Sequence, residues 1–554
     1  MADPTSPVRD RSNRRWSPLA LAAIASVWIA SFGNWPLWRA LARLPEMASP
    51  RGALFFIGFG LMIAALTTAF LSLLAWRHTI KPAITFVLLS AAIGAYFMGA
   101  YGIVLDPTMM TNVLQTDPRE VRELLSAQFA LNLLVLAVLP IAWLWRVRIR
   151  PMGMASQSMR NLLAIVASFV LIAALIAALF ADLSSTMRNH RSLRYLVNPV
   201  NSYYSLGVIV KQANARPKGP LQPIGQDARV VERSTSGRPP LLLLVIGETA
   251  RADHFAVNGY ARPTTPELAR EHVVSFTDVK SCGTNTAASL PCMLSALGRS
   301  GFEARERDQE NLLDLVQRAG LAVLWVDNQS GCKGLCDRVP NAAAIDPPPS
   351  AMPRPATLCA DGECFDEALL LDLDQRLALL PPERRERGVL LVLHQMGSHG
   401  PAYFKRSPPG RKPFVPECSS AVLRECDREA LINAYDNSIA YTDHVLGEVI
   451  RWLKGKATSH ESMLLYVSDH GESLGEGNIY LHGLPYALAP REQTHVPMIA
   501  WLGMQNTEQT ACLIERRQTP LTHDHLFHTV LGLLDIQASE YRKALDAFAT
   551  CRKP

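Results

Sequence analysis

The first 281 residues contain no cysteine, and all ten cysteines lie from Cys282 onward. That absence excludes disulfides and thiolate metal ligands from the N-terminal half. The cysteines that follow form no repeated CxxC ladder, which argues against a structural zinc module. Internal repeats and long low-complexity tracts are also lacking; "DPPPSAMPRP" (346–355) reads as a loop.

Charge is scarce in one place above all. Five apolar runs occupy the first third, roughly Trp16–Phe32, Ala53–Trp76, Ala83–Val104, Phe129–Trp145 and Leu162–Phe180. A bilayer core of about 30 Å asks for about 20 such residues per helix, so the runs predict five transmembrane helices. Arg9, Arg11, Arg14 and Arg15 precede the first run, Arg77 and Lys81 separate the second and third, and Arg146, Arg148, Arg150 and Arg160 separate the fourth and fifth. With alternating helices these clusters share one side, which the positive-inside rule makes cytoplasmic. Arg39 and Arg43, in the first outer loop, are minor exceptions. The N-terminus is then cytoplasmic, and everything after about Asp182 is outside. A cleavable signal peptide is the competing reading of the first run, but four further spans follow it. The basic residues track membrane topology, so the net charge of +6 gives no sign of nucleic-acid binding.

Cysteine placement agrees with this topology, because disulfides persist in oxidising compartments. The spacings pair Cys282 with Cys292, Cys332 with Cys336, Cys359 with Cys364 and Cys418 with Cys426, leaving Cys512 for Cys551. Five extracytoplasmic disulfides are expected.

Composition divides the chain into a five-helix membrane domain (1–183), an interfacial helix and linker (184–240) and a catalytic domain (241–554). The aromatic and basic stretch 188–207 suits a helix on the membrane surface, and the proline- and glycine-rich stretch 214–240 suits a boundary. Beyond it, β-like runs alternate with helical stretches, the pattern of an α/β domain around a largely parallel sheet. "LLLLVIGETARAD" (241–253), "LAVLWVDNQ" (321–329), "GVLLVLHQMGSHG" (388–400) and "SMLLYVSDHGES" (462–473) each stop at acid–base or metal-ligand residues. Such residues converge where a parallel sheet presents the carboxyl ends of its strands.

Glu248 follows the first of these runs, and Asp469 with His470 the last; two carboxylates and an imidazole make an oxygen-rich zinc site with one position open. A hydroxyl bound there would lose its proton far more readily. The loop "SCGTNTAASLPCM" (281–293) supplies candidates in Ser281, Thr284, Thr286 and Ser289, at what reads as a helix N-terminus suited to anionic phosphate. A disulfide across it would hold the nucleophile in register. Composition does not choose among the four.

"GETARADHFAVNGY", "SCGTNTAASLPCM", "HQMGSHGPAY" and "SDHGESLGEGNIYLHGLP" together resemble the signatures of the lipid A phosphoethanolamine transferases, which include the mobile colistin-resistance enzymes. The resemblance covers nearly the whole chain and implies an alkaline-phosphatase/sulfatase-like catalytic domain behind the five helices. It selects Thr286 as nucleophile and implies zinc held by Glu248, Thr286, Asp469 and His470. His399 and His482 match histidines that bind substrate phosphate or a second zinc. Lys333 matches a basic residue near the transferred group, His394 belongs to the pattern, and Asn112 and Glu120 match residues that help bind the lipid donor. Glu472 reads either as a second support for the metal ligands or as a helix N-terminal carboxylate. His523, His525 and His528 read as structural members of an amphipathic helix.

The implied reaction moves phosphoethanolamine from phosphatidylethanolamine to a lipid A phosphate by way of a phosphoethanolamine-threonine intermediate. It would lower surface charge and confer polymyxin resistance on a bacterium whose inner membrane carries the protein as a monomer, its catalytic domain periplasmic. The alternatives are a same-fold transferase acting on core sugar, glucan or a phosphoglycerol substrate, and a decayed lipid-binding scaffold. The threonine loop lacks the cysteine- or serine-containing formylglycine motif of a sulfatase.

Overall fold

The computed structural model describes residues 15–116, 118–215, 219–231, 237–346, 354–360, 362–503 and 507–552. The chain divides into two compact units, and the division is not a single cut. One unit takes in residues up to Pro107 together with Leu125–Val208, and the other is Thr108–Leu124 with Ile209–Pro554.

In the first unit, local chemistry sets where the helices begin. Ser17, Ser49 and Ser126 each accept a backbone N–H of the first turn, from Ala20, Gly52 and Phe129, and prolines follow Ser17 and Ser49 directly. Among the described residues four helices are long and apolar enough to cross a bilayer: Pro50–Ser72, Ile80–Tyr101, Ala127–Arg146 and Met154–Asn189. The first apolar run differs from the others. It gives Pro18–Ser31, which makes a fifth span only together with Trp35–Leu41, a helix beyond the run that is bent from it by 45° and holds Arg39, expected in a loop. Fourteen residues of helix reach about 21 Å, short of the bilayer core. Pro36 has no N–H to continue the ladder across the break. Asn34 fills the break: its Nδ2 donates to the carbonyls of Ile29 (2.9 Å) and Asn198 (2.7 Å), while Asn198 Nδ2 donates to those of Gly33 (2.8 Å) and Ala91 (2.6 Å). The Asn34 amide and the Asn198 Nδ2 are thereby satisfied by backbone, while the buried Asn198 Oδ1 has no hydrogen-bond partner among the described residues.

The second unit is built on a seven-stranded sheet. Its strands are β1 (Pro240–Gly247), β2 (Val274–Phe276), β3 (Ala322–Asp327), β4 (Asn341–Ala343), β5 (Val389–His394), β6 (Glu461–Ser468) and β7 (Met498–Trp501). The spatial order is β2-β7-β6-β1-β5-β3-β4, and only β7 runs against its neighbours. Central β1 is buried along its whole length, with Leu243 in register with Leu391 on one side and Leu464 on the other. Its alternate residues serve two cores. Leu242, Leu244 and Ile246 pack in the cluster holding Phe527 and Leu531, and Leu241, Leu243 and Val245 in the cluster holding Tyr435 and Leu446 of helix Arg428–Lys456. All ten cysteines are paired as their spacing predicts, with Cα separations such as 6.0 Å for Cys282–Cys292 and 5.7 Å for Cys512–Cys551.

Candidate active site

Strands β1, β3, β5 and β6 are parallel, so their carboxyl ends lie on one side of the sheet. Asp327 and His394 are the last residues of β3 and β5, and Glu248 and Asp469 are the first residues after β1 and β6. The turn after β1 holds Thr249 at φ 52°, an uncommon left-handed conformation for a β-branched residue. It is secured on both sides, by Thr249 N–H to Asp469 Oδ1 (3.3 Å) and by the Tyr435 hydroxyl donating to the Thr249 carbonyl (2.7 Å). Gly397, at φ 54°, lies against the Glu248 backbone so closely that a Cβ would overlap it, and Ser398 N–H donates to the Glu248 carbonyl (3.0 Å). Asp366 fastens this loop by accepting the N–H groups of Met396 (2.8 Å) and Gly397 (2.9 Å).

Thr286 opens the helix Thr286–Met293. Asn285 caps it through Ala288 N–H (2.9 Å), and the Cys282–Cys292 bridge spans it. Ser289 Oγ donates to the Asp469 carbonyl (2.5 Å) and Thr284 Oγ1 to that of Leu484 (2.7 Å), so both hydroxyls serve the scaffold. Ser281 Oγ is likewise occupied, on the Gly283 carbonyl (2.6 Å). Thr286 Oγ1 alone among the four faces the acidic group. It stands 3.1 Å from each oxygen of Glu248 and 3.5 Å from His470 Nε2.

Glu248, Asp469 and His470 are fully buried and present ligand atoms within 4.8 Å of one another. His470 Nδ1 donates to the Gly471 carbonyl (2.9 Å), which turns Nε2, the nitrogen that would ligate a metal, toward the carboxylates, 3.2 Å from Glu248 and 3.4 Å from Asp469. Asp469 Oδ1 accepts two N–H groups, whereas Oδ2 has no hydrogen-bond partner among the described residues. Two carboxylates this deep need compensating charge. Burial raises the Asp469 carboxyl, as does neighbouring Glu248. Burial also pushes Glu248 upward, but the hydrogen bond and charge of His470 prevail and hold it below the carboxylate range. The donor set, the orphaned Asp469 oxygen and the pairing of two buried carboxylates all fit a divalent metal ion.

Three further histidines border the group. His482 Nδ1 donates to Glu472 (2.7 Å), which also receives the Tyr403 hydroxyl, and its ring lies 4.4 Å from that of His470 and 5.6 Å from that of His399. Glu472 thus supports His482 and lies outside any helix. His399 is buried, and burial lowers it to about 3. His394 is also buried, yet Asp327 (2.7 Å from Nδ1) holds it above the usual histidine value, and its Nε2 has no hydrogen-bond partner among the described residues.

The remaining expected residues fall elsewhere. Lys333, at φ 51°, donates to Ser330 Oγ (2.8 Å) and lies 3.5 Å from the Gln115 carbonyl; no hydrogen bond joins it to the acidic group. Asn112 is half-buried in the helix Pro107–Gln115. The Glu120 side chain lies outside the described residues. Three further residues support the site without having been assigned to it from the sequence. Asp327 ends a β-run and was visible as such. Thr249 carries no local signal. His523, fully buried, accepts Cys282 N–H at Nδ1 (3.0 Å) and donates from Nε2 to the Ser468 carbonyl (3.0 Å), joining the threonine loop to the end of β6.

Comparison with known proteins agrees with this geometry. The sulfatase family matches residues 240–536, and the family described as phosphoethanolamine transferase EptA/EptB matches residues 63–213. Phosphatidylethanolamine transferase Mcr-1 of Escherichia coli is 37% identical over 96% of this chain and 97% of its own length. Phosphoethanolamine transferase EptA of Salmonella typhimurium is 38% identical over 97% of each chain. The solved lipooligosaccharide phosphoethanolamine transferase A of Neisseria meningitidis superposes with a TM-score of 0.89 at 34% identity, covering 98% of this chain and all of that one. The buried acid–histidine group beneath Thr286, the sulfatase-type sheet and this full-length kinship together make the chain a member of the phosphoethanolamine transferase family.

Proposed function

We propose that the chain transfers phosphoethanolamine from phosphatidylethanolamine to a phosphate of lipid A, with Thr286 as nucleophile. The observation that carries this reading is the Thr286 hydroxyl, 3.1 Å from both oxygens of a buried carboxylate that belongs to the metal group. Zinc is the ion that Glu248, Asp469 and His470 suit, and when bound it supplies a Lewis acid that favours loss of the Thr286 proton.

The chain's own groups supply placement and proton transfer, which is most of what phosphoryl transfer requires. Thr286 Oγ1 passes its proton to Glu248, 3.1 Å away, and forms a bond to the donor phosphorus as the bond to the glycerol oxygen breaks. That oxygen takes a proton from His482, while His399, kept neutral by burial, contacts the transferring group, and diacylglycerol leaves. A lipid A phosphate then gives its proton to His482 as its oxygen bonds to the same phosphorus, the bond to Thr286 breaks, and the proton held by Glu248 restores the threonine hydroxyl. Glu472 fixes the Nδ1 proton of His482, leaving Nε2 for the reacting oxygens. Asn112, Glu120 and Lys333 belong to the donor side, where a carboxylate suits the ethanolammonium group. The protein acts as a monomer in the inner membrane, its N-terminus cytoplasmic and its catalytic domain periplasmic. Masking a lipid A phosphate with an amine weakens attraction for cationic peptides, so polymyxin resistance follows.

Mass spectrometry of lipid A from a bacterial host expressing the full chain tests the assignment, alongside peptide mapping of the trapped enzyme. Phosphoethanolamine should appear on lipid A and on the peptide holding Thr286, and Thr286→Ala should abolish both. Label on Ser281, Thr284 or Ser289 would refute the nucleophile. Unmodified lipid A beside a modified core sugar would refute the acceptor.

A further inference from the structure

The segment Thr108–Leu124 belongs to the catalytic unit although it lies in sequence between two membrane helices. Three contacts hold it there. The end of Met109 occupies the place where a Cβ of Gly483 would sit, one residue after His482, and Gly483 has φ 89°. The Gln115 carbonyl lies 3.5 Å from Lys333 Nζ. Glu123 meets Arg406 (2.5 Å) and Lys405 (3.2 Å).

The third contact differs in kind from a surface ion pair. The Glu123 and Arg406 side chains are 4% and 6% exposed, whereas Lys405 is 45% exposed and sits at the rim. Buried charges without partners are costly, so neither group is at rest unless the segment is seated. The guanidinium is also divided between two tasks. One terminal N–H reaches Glu123, and Nε–H donates to the His399 carbonyl at 2.8 Å. A planar fork performs both at once, which a lysine ammonium in the same place does not.

We propose that Arg406 is a positioning residue that couples the seating of segment 108–124, through Glu123, to the backbone of His399. The proposal rests on the reading above, in which that segment meets the lipid donor and His399 meets the transferring group. Seating the segment completes the salt bridge, and the same guanidinium then holds the His399 loop in place. Donor engagement and histidine placement become a single event.

The test uses the full-length enzyme in vesicles of phosphatidylethanolamine and lipid A, with steady-state kinetics and hydrogen exchange of the peptide covering 107–124. Glu123→Gln should speed exchange of that peptide, raise KM for the donor by about tenfold or more and lower kcat severalfold, because Arg406 then loses the partner that fixes it on the His399 carbonyl. Arg406→Lys keeps a charge for Glu123 but loses the Nε–H bond, so exchange protection should persist while kcat falls about tenfold. The exchanged pair Glu123→Arg with Arg406→Glu should recover KM but not kcat, because a carboxylate cannot donate to the His399 carbonyl. A wild-type peptide that exchanges as fast as unfolded chain would overturn the proposal, whatever the variants do. So would wild-type kcat in Arg406→Lys, or wild-type KM and exchange in Glu123→Gln. Failure of the underlying reading would show elsewhere, as full turnover by His399→Ala.

Discussion

Replacing Glu472 by glutamine isolates the support of His482 from the metal group. Glu472 is fully buried, takes the Nδ1 proton of His482 at 2.7 Å and receives the Tyr403 hydroxyl on its other oxygen. Glutamine keeps the shape and removes the charge. If its amide nitrogen faces the imidazole, the ring proton must move to Nε2, the nitrogen otherwise left for the reacting oxygens. If its amide oxygen faces the imidazole, the bond survives only as a neutral one. A hydrogen bond to a charged partner contributes about 1.5–3 kcal/mol, and 1.36 kcal/mol is a decade in rate, so kcat/KM should fall roughly 10- to 100-fold. Zinc content should stay at the wild-type level, because Glu248, Asp469, His470 and Thr286 keep their contacts. The assay is transfer to lipid A in reconstituted vesicles with metal analysis of the same preparation. A folded variant with unaltered turnover, or one whose zinc falls in step with its activity, would refute this account of Glu472.

Chelation should lower the melting temperature of the full-length protein, since it leaves two buried carboxylates without compensation, and added zinc should restore it. At zinc a hundredfold above Kd the difference corresponds to about 2.7 kcal/mol, and calorimetry that shows no change with chelator would contradict the metal assignment. His528 offers a pH test away from the site. Burial, aided by the charges of Arg542 and His525, lowers it from 6.5 to about 4, and its Nδ1 accepts Arg542 N–H at 3.1 Å. The folded state therefore resists protonation: its contribution is complete above about pH 6.5 and is lost as pH falls toward 4, by on the order of 2 kcal/mol. Denaturant unfolding across that range should show a shallower pH slope for His528→Asn, whose amide oxygen can accept the same N–H without titrating; an unchanged slope would count against it.

The convergence of Glu248, Asp469 and His470 was legible because each stands where a β-run stops, and parallel strands bring such ends together whatever the spacing between them. Thr286 was a harder case. Four hydroxyls lie in one loop, and only the structure shows that three are spent on the carbonyls of Gly283, Leu484 and Asp469. The bend that follows the first apolar run has its mark in Pro36, beyond the run's end at Phe32, where a hydropathy count had already stopped. Arg406 and Glu123 left no trace in the sequence: they are 283 residues apart, and a pairing of that range has no periodicity to betray it. His523 was read as a structural residue of its helix, and its bonds bridge two loops that no local pattern connects. Thr249 needs its tertiary ties before its backbone angle can be inferred at all.

The catalytic unit is written in two separate stretches of the gene product, 108–124 and 209–554, with membrane helices in between. An excised water-soluble version that starts after the last helix would keep every metal-ligand candidate and Thr286, yet discard Met109, Gln115 and Glu123. Inhibitor screens on such a fragment would find molecules that reach the metal but would be blind to any that act by displacing the missing strap.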